Sequence, residues 1–272
     1  MIVRKRLHRF GNEVRHQIGL RRCVGALAVM LGAALVPVVV SAAECPARRE
    51  PSIPPPESVA TPDQPIAKGF NIDTYKRQLT KYHDGGNYNA DIAAVIADAT
   101  RYVEGRAEQV RWPAVVLDID ETSLSNWDNL KADDFGFIED GPCSLQAKMA
   151  CGFNEWINKA IAPPIEPTLK FFQFVRDRNI AVFFITGRRE NQRRATLWNL
   201  DRAGFANWAG IATRPDDQHG TIVPFKSGER DKVAEKYTIL ANVGDQDSDL
   251  QDLKGKSAEC SFKLPNPYYF IP

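Results

Sequence analysis

Apolar positions along the chain repeat with two different periods, and the change between them predicts the architecture. FNIDTYKRQLTKYH (residues 70–83) and ADIAAVIADATRYVEG (90–105) carry their apolar residues at helical spacing, with HDGGN (83–87) as the break between them and Gly105 as the stop. Three later segments are short unbroken apolar runs without polar alternation: AVVLDID (114–120), NIAVFFITG (179–187) and YTILANVGD (237–245). Such runs mark strands covered on both faces. Helical TLKFFQFVRDR precedes the second run and helical ERDKVAEK the third, while AGIATRP, centred on Ile211, supplies another strand. Alternating helices and strands at these distances predict an α/β fold, a doubly wound parallel sheet with helices on both faces. The stretch from about Ser123 to Pro167 is rich in Phe, Trp, Gly and Pro. It is too long for a simple loop, so a small cap over the strand ends is expected there. No internal repeat or second domain is visible, and residues 68–272 form the expected domain.

The first 43 residues follow a different logic. A basic stretch, MIVRKRLHRFGNEVRHQIGLRR, leads into apolar CVGALAVMLGAALVPVVV and then SAAEC, with small Ser41 and Ala43 at the positions a signal peptidase reads. A cleaved signal peptide over 1–43 and a periplasmic or secreted mature protein are the expectation. The alternative is an uncleaved anchor, since Cys23 to Val40 approaches membrane-spanning length; Pro37 and the small residues after it favour cleavage, and with it no stable membrane association. Residues 44–67 are proline-rich and read as an extended arm.

Charge follows the same division. Of 35 basic and 34 acidic residues, seven basic and one acidic lie in the first 43, leaving 28 basic against 33 acidic. A mildly acidic surface offers no general attraction for a nucleic-acid polymer. Cys45, Cys143, Cys151 and Cys260 remain, an even number in a chain bound for an oxidising compartment. They allow three pairings; the short spacing favours Cys143 with Cys151, leaving Cys45 for Cys260. No zinc-type cysteine or histidine spacing accompanies them.

Ligands of open parallel sheets bind beyond the carboxyl ends of the strands. The predicted strands end there on Asp118 and Asp120, on Thr186 and Gly187, and on Asp245, with Lys226 in FKSGER between the second and third. In order, DIDET (118–122), FITGR (184–188), Lys226 and GDQDSDL (244–250) resemble the four motifs of the haloacid dehalogenase (HAD)-like hydrolases. More closely, the chain is similar to the acid phosphatases of subfamily IIIB, which include bacterial class B-like enzymes and plant acid phosphatases and storage proteins. The resemblance covers about residues 68–272, with YHDGGNYNADI upstream and KLPNPYYFIP at the end.

That resemblance implies a phosphomonoesterase with Asp118 as nucleophile, Asp120 as general acid and base, and Mg²⁺ as cofactor. It further implies Asp118, the backbone carbonyl of Asp120 and Asp245 as metal ligands, supported by Asp249; Thr186 and Gly187 as holders of phosphoryl oxygens; and Lys226 as the neutralising cation. Asp120 argues against dehalogenation, which has no alkoxide to protonate. GDQDSDL lacks the closing Glu of a calcium loop, and neither a GxSxG elbow nor a Walker loop is present. Among the aromatics of the insertion, Trp127, five residues after Thr122, is the candidate to stack on a nucleobase or other flat leaving group. Two alternatives stay open: a non-catalytic storage or binding protein on the same fold, and transfer of phosphoryl groups to alcohols rather than water. The oligomeric state is not fixed by the sequence.

Overall fold

The computed structural model describes residues 44–53, 71–143 and 151–271; the signal-like segment and most of the proline-rich arm lie outside the described residues. Two helices open the domain. α1 (Ile72–Asp84) is capped by the Asn71 side chain, which accepts hydrogen bonds from the amides of Asp73 and Thr74 at 3.0 and 3.1 Å. α2 (Asn87–Arg106) starts directly after Gly86, whose φ of 85° makes the corner that the DGG sequence predicts.

Five strands follow: β1 (Pro113–Leu117), β2 (Ala181–Arg189), β3 (Gly210–Arg214), β4 (Thr238–Gly244) and β5 (Ala258–Lys263). They pair in the order β3-β2-β1-β4-β5, every pair parallel, with β1 in the centre. The apolar runs sit where their composition requires, because β1 and β4 are buried along nearly their whole length. The larger core cluster joins α1, α2 and α5 (Glu166–Asp177) to one sheet face, with Ile92, Phe171, Phe172 and Leu117 almost fully enclosed. On the other face Val116, Ile185 and Ile239 meet Ile222 and Phe225 from the start of α7 (Val223–Ala234). Each such side chain contributes roughly 1.5–3 kcal/mol by leaving water.

Two regular elements go beyond the expectation. β5 alternates buried and exposed residues, the pattern of an edge strand, and its AECSFK sequence is too polar to stand out as an apolar run. α6 (Arg193–Arg202) buries Thr196, Asn199 and only one large apolar residue, Leu200. Asn199 earns its burial through hydrogen bonds to both backbone groups of Ala162, at 2.7 and 3.1 Å. β1 is also shorter than its apolar run: the ladder stops at Leu117, leaving Asp118 to Asp120 beyond it.

Between β1 and α5 lie two short helices, α3 (Trp127–Ala132) and α4 (Phe153–Lys159), and the Cys143–Cys151 disulfide. The second disulfide, Cys45–Cys260, ties the arm to β5. The same arm is fastened to α2 by Arg49 on Asp98 and by the Ser52 amide on Asp91 at 2.6 Å. Among the described residues no helix is long and apolar enough to cross a membrane.

Because the Cys45–Cys260 bond closes a long loop, replacing both cysteines with serine should cost about 2–4 kcal/mol of stability. Thermal unfolding of the double variant checks this; an unchanged midpoint would mean that the arm contributes nothing to the fold.

Candidate active site

The carboxyl end of the sheet carries a cavity of about 330 Å³ whose wall includes Asp118, Asp120, Gly187, Lys226, Asp245 and Asp249. Local geometry explains how β1 delivers two carboxylates there. The chain turns sharply after Ile119, whose carbonyl accepts the amides of Thr122, Ser123 and Leu124. Glu121 takes a left-handed φ of 51° at this corner, an uncommon conformation for a residue with a side chain. The Asp118 carbonyl is fixed by the Ser123 hydroxyl at 2.7 Å.

Asp249 approaches from α8 (Asp247–Leu250). Its carboxylate accepts the Gln246 amide at 2.8 Å and packs against Gly244, where a Cβ would lie 2.3 Å from the Asp249 Cβ. Glycine at the end of β4 is therefore a steric requirement of the GDQDSD turn. Lys226, on the first turn of α7, donates to Asp118 at 2.6 Å and also to Asp249, with all three side chains buried. Carboxylate oxygens of Asp118, Asp245 and Asp249 lie within 4.8 Å of one another.

Electrostatics in this cluster are frustrated. Burial, reinforced by the charges of Asp249, Asp245 and Asp120 against the relief from Lys226, pushes Asp118 well above the carboxylate range. Burial, then Asp249 and Glu121, pushes Asp245 up to about 7. Burial lowers the Lys226 pKa, but Asp118 and Asp249 outweigh it and hold the ammonium charged. One lysine facing three enclosed carboxylates leaves negative charge in excess. An all-oxygen donor set with excess negative charge fits a hard divalent cation.

Asp120 differs from its neighbours. Burial raises its pKa, yet the Arg188 guanidinium outweighs it and leaves Asp120 below its usual value. Arg188 donates Nη2 at 2.8 Å and Nε at 3.1 Å, and Asn126 Nδ2 donates at 2.9 Å. Asn126 is itself held by Glu121, which accepts its amide at 2.7 Å, and by the Trp156 indole at 2.9 Å. The Tyr269 hydroxyl donates to Glu121 at 2.6 Å, and Asn266 Nδ2 to Asp245 at 2.7 Å. Arg188 stands within FITGR and the C-terminal pair within KLPNPYYFIP, but neither spacing nor composition assigns them a function.

Two expected residues are placed differently. Thr186 is fully buried and accepts the Arg188 amide at 3.2 Å, so Gly187 rather than Thr186 forms the cavity wall. Trp127 does not line the cavity. Its ring stacks on His83 at 3.8 Å and packs against Phe135 and Tyr268, because the α3 turn directs this large apolar surface towards the helical layer. The aromatic wall of the cavity is instead Phe137, Phe153 and Tyr269, with neighbouring ring centroids 5.0 and 5.4 Å apart.

A five-stranded parallel sheet with a carboxylate cluster beyond its central strand defines an α/β protein with an acidic site, and comparison with known proteins gives its class. The HAD superfamily, subfamily IIIB (acid phosphatase), matches residues 64–272, and the chain belongs to that family of phosphoric monoester hydrolases. Acid phosphatase 1 of Solanum lycopersicum is 34% identical over 71% of this chain and 73% of its own length. The stem 28 kDa glycoprotein of Glycine max is 31% identical over 74% and 78%, and vegetative storage protein 2 of Arabidopsis thaliana 28% over 68% and 67%. The class C acid phosphatase of Bacillus anthracis matches in fold with a TM-score of 0.56, covering 72% of this chain and 86% of that one at 23% identity.

Removing one partner of a buried ion pair costs more than removing both. Arg188→Ala should therefore lose about 3–5 kcal/mol of stability, and Arg188→Ala with Asp120→Asn clearly less. Chemical denaturation of the single and double variants checks this, and additive losses would count against a coupled pair.

Proposed function

We propose that the protein is an exported, Mg²⁺-dependent phosphomonoesterase that works through an aspartyl-phosphate intermediate on Asp118. The observation that carries this reading is the convergence of Asp118 and Asp120 on one cavity, with Lys226 bridging Asp118 and Asp249 and with Asp245 beside them. Asp118 attacks phosphorus, its Oδ–P bond forms, and the P–O bond to the leaving alcohol breaks. Asp120, which must enter this step protonated against the pull of Arg188, gives that proton to the departing alkoxide. It then takes a proton from water, which attacks the aspartyl phosphate, releases inorganic phosphate and restores Asp118.

Lys226 and the amides around Gly187 stabilise the charge of the transferring group. Asp118, the Asp120 carbonyl and Asp245 would hold Mg²⁺, with Asp249 beside them; when bound, the ion supplies the positive charge that a phosphoryl group needs next to these carboxylates. Arg188 and Asn126 keep Asp120 oriented. The complete set of groups favours catalysis over a storage role, the reading that the names of several relatives raise. Two disulfides support an oxidising compartment. The Phe137, Phe153 and Tyr269 wall supports a preference for aromatic or nucleotide esters.

Residues 44–272 should release phosphate from p-nitrophenyl phosphate with Mg²⁺ and lose that activity with chelator. Asp118→Asn should reduce turnover at least about 10³-fold, the scale of a lost nucleophile. A folded wild type that is inert toward every phosphomonoester tested would instead favour the storage reading.

A further inference from the structure

Beyond the carboxylate cluster the same cavity is bordered by two arginines to which the proposed chemistry gives no part. Arg189 closes β2 and Arg214 closes β3, and they are register partners across the two parallel strands. Like charges placed directly opposite in a sheet repel and destabilise it. Neither guanidinium has a carboxylate partner among the described residues. Arg189 Nη1 donates to the backbone carbonyls of Pro215 and Gln218 at 3.2 and 2.6 Å, and Arg214 Nη2 to that of Gly220 at 2.7 Å. Arg214 is only 9% exposed, and its buried Nε has no hydrogen-bond partner among the described residues. Burial first, and the Arg189 charge second, push the Arg214 guanidinium down from its ordinary pKa.

A half-buried and a buried guanidinium set side by side without a carboxylate, the buried one with a free donor, are costly unless something anionic meets them. Of the nearby acids, Glu190 accepts from Thr213 and Asp216 accepts the Asn191 amide, while Glu139, which also lines the cavity, forms no ion pair with either arginine. Gly187 lies two residues before Arg189 on β2, across an irregularity in the β2–β3 register, so their backbones are at most roughly 7 Å apart, and both residues line the same cavity. That is within reach of a second charged group on one small molecule.

Building on the phosphomonoesterase reading, we infer that Arg189 and Arg214 form a second anion subsite and that the preferred substrates are phosphomonoesters bearing another anionic group, a phosphate or a carboxylate. Paired arginines suit both groups, since their N–H forks match two oxygens of either. The subsite takes no part in bond breaking; it anchors the far end of the substrate while Asp118 acts on the near phosphate.

Three related substrates test it with Mg²⁺ present: glucose 6-phosphate, 6-phosphogluconate and glucose 1,6-bisphosphate. The wild type should show kcat/KM at least about tenfold higher for one or both doubly anionic esters, the scale of one charge-assisted hydrogen bond. Which of the two gains more separates a phosphate site from a carboxylate site. Arg214→Gln and Arg189→Gln should each erase the advantage while changing glucose 6-phosphate less than about threefold, and Arg214→Lys should restore part of it. Equal kcat/KM for all three substrates in the wild type would overturn the inference while leaving the phosphomonoesterase reading intact, as would equal loss on all three in the glutamine variants. If no ester is hydrolysed, that reading has failed on its own, and calorimetry still decides the subsite. Glucose 1,6-bisphosphate should then bind the wild type at least about tenfold more tightly than glucose 6-phosphate and lose that margin in Arg214→Gln; equal binding would count against it.

Discussion

The mutual repulsion of Asp118, Asp245 and Asp249 is the constraint around which this structure is arranged. Carboxylates at separations near 4.8 Å repel by roughly 3–4 kcal/mol even at an effective dielectric of 20. The fold nevertheless drives all three into a buried site, and the surrounding elements act to contain the consequence. The N-terminus of α7 brings Lys226 between two of them; the tight turn at Gly244 brings Asp249 back onto β4; and the C-terminal Asn266 holds Asp245 in place. Lys226 and Asn266 lower the repulsion without removing it, while the turn at Gly244 is what imposes it. On the proposed reading, a dication would enter such a site on favourable terms because the site starts out short of positive charge.

Asp120, two residues along, is kept apart from this competition. Its hydrogen-bond partners are Arg188 and Asn126, whereas Asp118 faces Asp245 and Asp249, so two aspartates in a five-residue motif experience opposite environments. Burial thus favours the neutral form of Asp118 and Arg188 the ionised form of Asp120, the reverse of the states in which a nucleophile and an acid act, so positive charge beside Asp118 is what the site lacks. The clamp on Asp120 continues outward through Asn126 and Glu121 to Tyr269, so the end of the chain stabilises the beginning of the site.

How far sequence foretells structure here depends on the kind of signal each residue carries. β1, β2 and β4 are strongly apolar and buried on both faces, and such runs announce themselves. The doubly wound sheet follows from their spacing, and the cysteine pairing from the separation of only eight positions between Cys143 and Cys151. β5 and α6 stay hidden because their buried positions are few or polar and the contacts that fix them are long-range. The four motif aspartates, Gly187 and Lys226 come together because strand ends in a parallel sheet converge. Trp127 misleads for a related reason: nearness in sequence to Thr122 says nothing about which side of the α3 turn its ring will face. Arg188, Asn266 and Tyr269 act through partners 68, 21 and 148 residues away, and no local pattern encodes such distances.

The central claim is that Asp118 becomes phosphorylated during turnover. Acid-quenched protein, taken in the first turnovers with p-nitrophenyl phosphate and Mg²⁺ and then reduced with borohydride, tests it most directly. An aspartyl phosphate at position 118 is reduced to homoserine, so mass spectrometry should find that conversion at Asp118 and at no other carboxylate. Vigorous phosphate release with Asp118 left unmodified at every quench time, or conversion at a different residue, would contradict the account.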